Sequence, residues 1–147
     1  MKAIYLAIAS VLVALGLPAV AFAASADEQV AAAYAAWDQA FNTGDATKVA
    51  AFYTDDAVFL PPTHDVIEGP AGVEKFFAGL FGNGVTGHKL ELIEVTGDDD
   101  DMVVAAAKWS AQGKDASGAA TTFGGVATHV FERESDGSLK LKLHTFN

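Results

Sequence analysis

The chain has 147 residues, a formal net charge of −10 and no cysteine. That excludes disulfides, thiolate nucleophiles and cysteine metal sites, and leaves a single domain held by packing alone. An acidic balance also argues against nucleic acid and anionic membrane surfaces, which attract basic patches.

The first residues set an expectation of export. Lys2 supplies a positive start, Ala3–Leu17 is apolar almost throughout, and Pro18 breaks the run. Ala21-Phe22-Ala23 then offers small residues at the −3 and −1 positions of a cleavage site. Residues 1–23 therefore read as a signal peptide and 24–147 as the mature domain, periplasmic or secreted after cleavage. The apolar stretch is short for a span and no stop-transfer charges follow it.

From Asp27 to Asn42, Val30, Tyr34, Trp37 and Phe41 recur at spacings of four, three and four, one apolar stripe of a helix. Ser25 or Asp27 can cap it, and Asn42-Thr43-Gly44 ends it. Asp45 reads as the N-cap of a short second helix with Val49, Phe52 and Tyr53. Ala57–Leu60 is a brief strand stopped by Pro61-Pro62, which donate no ladder bonds. Asp55-Asp56 reads as the turn into that strand, where Asp side chains bond nearby backbone. Gly69-Pro70 opens a third helix with Val73, Phe76, Phe77, Leu80 and Phe81 on one face, closed by Gly82 and Gly84.

After Thr86 the period changes to two. His88–Val95, Met102–Gln112, Thr121–Arg133 and Leu139–Phe146 read as strands joined by short turns, hence antiparallel hairpins. Helices first and a meander after them make an α+β domain, with the helices on one sheet face.

Trp37…Phe41-Asn42-x-Gly44-Asp45, then Phe52-Tyr53-x-Asp55-Asp56-Ala57-Val58 and a helix opened at Gly69, resembles the nuclear transport factor 2-like superfamily. Within it the chain is most similar to the small bacterial proteins grouped with ketosteroid isomerase and the SnoaL-like cyclases. The resemblance implies a cone in which three N-terminal helices pack on a strongly bent antiparallel sheet around an apolar pocket. It also implies a homodimer. This superfold hosts isomerases, dehydratases, cyclases and binders, so it does not choose an activity. Aligned through Gly44-Asp45 and Asp55-Asp56, the isomerase tyrosine falls on Trp37, its base on Pro61 and its second acid near Ala127 or Thr128. None of the three is retained, so a standard ketosteroid isomerase is not expected.

Strand parity sorts the remaining polar residues. Phe123, Ala127, His129 and Phe131 share the inward face; Ala105, Ala107 and Trp109 also point inward. Leu139, Leu141 and Leu143 facing in would turn His144 out, and the facing of His88, near a strand start, is undecided. His129 reads either as a satisfied core or interface histidine, or as a pocket base oriented by Asp38 on the first helix. Scytalone dehydratase, of the same superfamily, resembles the latter in using histidines and a helix-one aspartate. His64-Asp65 reads as a loop shaping the pocket mouth. Asp98–Asp101 lacks the alternate spacing of a calcium loop and reads as a solvated turn; no metal or other cofactor is expected.

The expected pocket is lined by Trp37, Phe41, Phe59, Trp109, His129 and Phe131, with His64 at its entrance. The leading function is binding of a small hydrophobic or aromatic molecule. The alternatives are a proton-transfer enzyme (isomerase, dehydratase or cyclase) using His129 with Asp38, and a homodimeric interaction module.

Overall fold

The structure, a computed structural model, describes residues 24–147; the expected signal peptide lies outside the described residues. Helix α1 spans Ala26–Asn42, α2 Ala46–Ala50 and α3 Gly69–Gly82. The strands are β1 (Tyr53–Leu60), β2 (Ile67–Glu68), β3 (Thr86–Asp98), β4 (Met102–Lys114), β5 (Ala120–Arg133) and β6 (Leu139–Phe146). They form one six-stranded sheet in the order β2-β1-β6-β5-β4-β3.

Local chemistry explains the helix ends. Ser25 caps α1 in a full capping box: its hydroxyl accepts from Glu28 N while Glu28 Oε2 accepts from Ser25 N. Asp45 caps α2 through Lys48 N at 3.0 Å, and Gly44, at φ +70°, makes the left-handed turn between the two helices. The stripe read from sequence is the buried one: Val30, Tyr34, Trp37 and Phe41 are all in the core. Together with Tyr53, Phe59, Val73, Phe77, Phe131 and Leu141 they fill the space between helices and sheet.

The sheet differs from the expected meander at two places. First, β1 begins at Tyr53 rather than Ala57 and lies parallel to β6. Asp55 and Asp56 are therefore within the strand, exposed, at a register irregularity between Tyr53 and Val58. Asp56 accepts from Thr54 Oγ1 at 3.0 Å and pairs with Lys142, which makes it a structural anchor. Second, β6 carries a bulge opposite β5. Val130 and Phe131 are adjacent, yet their partners are Leu143 and Leu141, so Lys142 is an extra residue. One inserted residue inverts the facing of everything beyond it. His144, expected outward, is consequently buried at 6% exposure.

Of the four aspartates 98–101, Asp98 ends β3 and the other three connect it to β4. Asp99 Oδ1 accepts from Met102 N and Asp101 N, and Arg133 pairs with Asp98. Asp98 and Asp99 thus serve the turn and its neighbour Arg133. Among the described residues no helix is long and apolar enough to cross a membrane.

Candidate functional site

Between α1, α3 and the bent sheet lies a cavity of about 340 Å³. Its walls are mostly rings: Trp37 and Phe41 from α1, Phe76 and Phe77 from α3, Trp109 from β4 and Phe146 from β6. Small Ala111 and Ala127 leave the space that these rings surround. Exposed Pro62, Thr63, Asn83 and Lys114 form the rim. The mouth loop is held in an unusual shape, since His64 adopts φ 67°, a left-handed conformation uncommon outside glycine.

Two histidines enter this apolar space, and neither was assigned to it by sequence reasoning. His88 lines it from β3 and His144 from β6. Each is anchored at Nδ1, but by opposite chemistry. His88 Nδ1 lies 2.7 Å from Asp38 Oδ1. A carboxylate only accepts, so His88 carries its proton on Nδ1, and in the neutral ring Nε2 is the free lone pair. Asp38 is itself held by Leu90 N at 2.8 Å to its second oxygen. Asn42 fixes the same strand start, exchanging bonds with His88 N and His88 O. His88 is also clasped by aromatics, edge-on to Trp37 and stacked on Trp109.

His144 Nδ1 lies 2.7 Å from the Tyr53 hydroxyl. Burial pushes the Tyr53 phenol far above its usual range, so it stays protonated. It also holds His144 neutral by lowering its pKa well below the ordinary value, and the neighbouring His129 and His88 add to that.

Sequence reasoning placed His129 inside the fold, and it is 1% exposed. Its partner is not Asp38. Tyr34 on α1 bonds His129 Nδ1 at 2.8 Å, while Asp38 is committed to His88 and Leu90. Tyr34 and Asp38 are four apart on α1, and each meets a different strand. Burial depresses His129 to about 3, with His88 contributing a smaller electrostatic push in the same direction. His129 and Phe131 border a separate small space of about 10 Å³, not the main cavity. Phe59 is fully buried among Phe76, Phe77 and His144 as core packing and lines neither space. His64 stands in the exposed mouth loop, where its neighbours Pro62 and Thr63, but not His64 itself, reach the rim. Trp37, Phe41 and Trp109 line the cavity as expected. A signal for His88 was present in Asp38, a carboxylate beside the core stripe that needs a cationic or N–H partner. His144 had no such signal, because the bulge at Lys142 is silent in the alternation pattern.

Residues 31–141 match the family model described as the SnoaL-like domain. The chain belongs to the SnoaL-like family. No curated protein sequence matches it. Among solved structures it is similar to a protein from Xanthomonas campestris provisionally named as a calcium/calmodulin dependent protein kinase II association domain, at 26% identity and TM-score 0.71. That match covers 89% of this chain and 90% of the other. It is also similar to a ketosteroid isomerase-like protein from Erwinia carotovora atroseptica, at 22% identity and TM-score 0.70 over 80% of this chain and 92% of that one. A third, from Novosphingobium aromaticivorans, is provisionally named an aromatic ring hydroxylase. It shares 27% identity at TM-score 0.68, over 81% and 85% of the two chains. These neighbours establish the α+β, nuclear transport factor 2-like cone; their names differ among themselves and carry no single activity.

Among the described residues no group of three or more His, Asp or Glu is arranged to hold a metal ion. At the position aligned with the isomerase base stands Pro61, buried and without acid–base chemistry. Inside the rim of Pro62, Thr63, Asn83 and Lys114, the ionisable side chains on the cavity wall are His88 and His144.

Proposed function

We propose that this SnoaL-like domain binds a small, largely apolar aromatic molecule in the cavity between its helices and sheet. The observation that carries the reading is the ring-walled space of about 340 Å³. Its size falls at the lower end of small-molecule sites, roughly 300–1,000 Å³, and its few polar groups converge inward as such sites require. A molecule of about two fused rings suits it. The only two tryptophans of the chain, Trp37 and Trp109, both line the cavity, so binding is readable without a label. Titration with planar two-ring probes, followed by tryptophan fluorescence and native mass spectrometry, should give saturable 1:1 binding. No saturable response from any such probe would end the proposal.

A second reading is favoured by the His88–Asp38 bond at 2.7 Å. A carboxylate on Nδ1 orients the imidazole and fixes its tautomer, the arrangement of a general base. The proton-transfer alternative thus moves from His129 to His88. It is tested by incubating an α-CH ketone with the protein in D2O. Exchange above background in wild type, lost in His88→Gln, supports it; equal exchange in both rejects it.

We read the expected homodimer in the same spirit. Exposed Val126 and Met102, on the outer side of β4 and β5, support a sheet-face contact. A monomer by light scattering at micromolar concentration counts against it.

A further inference from the structure

The inward polarity of the cavity is set by a relay of buried groups behind His144. The Trp37 indole N–H is the one buried side-chain polar atom among the described residues that has no hydrogen-bond partner. It lowers the Tyr53 phenol against the larger effect of burial, without a hydrogen bond between them. An indole N–H can only donate. The Tyr53 O–H, itself buried, needs an acceptor. His144 Nδ1, at 2.7 Å, is the acceptor in reach. Were His144 to donate from Nδ1 instead, the phenol hydrogen would be buried without an acceptor, a costly arrangement. Tyr53 thus donates to Nδ1, and the proton of neutral His144 sits on Nε2.

Nδ1 is turned to Tyr53 in the core, so the opposite edge of the ring is the part of His144 left for the cavity it lines. We infer that His144 presents a neutral Nε2–H donor to the bound molecule, and that the cavity selects planar apolar ligands bearing a carbonyl-type acceptor. His88, anchored by Asp38, carries its proton on Nδ1 and so has the reverse polarity in its neutral form, with the lone pair on Nε2. Two histidines in one cavity therefore do different work because one leans on a phenol and the other on a carboxylate. A donor in an apolar wall discriminates more than one in solvent, because a ligand lacking the acceptor leaves the N–H unpaired. The inference rests on the binding proposal above and specifies its ligand class.

A matched pair of probes separates the two. 1-Indanone and indane share shape and differ by one carbonyl oxygen. Wild type should bind the ketone about five- to tenfold more tightly, the usual worth of one neutral hydrogen bond in a buried site. In the double variant Tyr53→Phe/His144→Leu, which removes both partners together, the ratio of ketone to indane affinity should fall to near one, whatever the absolute affinities. Equal binding of the two probes to wild type overturns the inference but leaves the binding proposal standing. So does a ketone preference that persists in the variant. Failure of both probes to bind overturns both. Independently of any ligand or variant, long-range proton–nitrogen NMR of His144 should report Nε2–H at neutral pH. An Nδ1–H tautomer overturns the inference outright.

Discussion

Two neutral histidines buried against tyrosines make this fold sensitive to mild acid. His129 is depressed by burial from its ordinary 6.5 to about 3, and His144 moves in the same direction. Between those values the unfolded chain takes up protons that the folded chain refuses, so stability falls as pH drops below 6.5. At pH 5 the unfolded form of His129 alone gains about 2 kcal/mol, from 1.5 units at about 1.4 kcal/mol each. His144 adds to this with the same sign. With a urea slope of about 1–3 kcal/mol/M for a domain of this size, the unfolding midpoint should drop by about 1 M or more between pH 7.5 and pH 5. The measurement is a set of urea titrations at several pH values, with midpoint and slope fitted separately. His129→Gln keeps an acceptor for the Tyr34 hydroxyl but cannot titrate, and should flatten the pH profile. A midpoint that does not move across this window, or an unchanged profile in that variant, would refute the reasoning.

Further outcomes follow from the packing. Ala111→Leu projects into the cavity from β4; it should abolish probe binding while the melting temperature stays within a few degrees, since an apolar void accepts an apolar side chain. Gly125→Ala places a methyl group on the Asn147 carbonyl oxygen, which accepts from Trp109 Nε1 at 3.0 Å. That clash should cost about 1–3 kcal/mol in urea unfolding and alter the Trp109 contribution to fluorescence, with no change expected from Gly82→Ala, where a Cβ meets open space. Asp38→Asn preserves shape but offers a mixed amide to His88 and Leu90. It should lower stability by about 1–3 kcal/mol and, if His88 is the base, abolish deuterium exchange as well.

Much of the fold is legible locally. The Val30–Phe41 stripe, the Ser25 and Asp45 caps, the Gly44 turn and the change of period after Thr86 each depend on residues within a few positions of one another. Their physics is that of one helix turn or one pleat, and the structure bears them out. The family likeness was legible for the same reason, since its motifs sit at caps and turns. Aromatic walls such as Trp37, Phe41 and Trp109 followed from facing alone.

The site's chemistry was not local. Asp38 lies fifty positions from His88, and Tyr53 ninety-one from His144. Which histidine meets which partner depends on how α1 crosses β3 and on the register of β6. His144 shows the limit most clearly: alternation turned it outward, and one extra residue at Lys142 turned it inward. Sequence by itself determined the three helices, the four strands after Thr86, the α+β arrangement and an apolar interior holding a histidine at 129. Only the tertiary structure decided that Asp38 serves His88, that Tyr34 holds His129 in the core, and that His144 faces the cavity. Periodicity records facing within an unbroken strand, whereas bulges and long-range hydrogen bonds are settled by the packing of distant segments against each other.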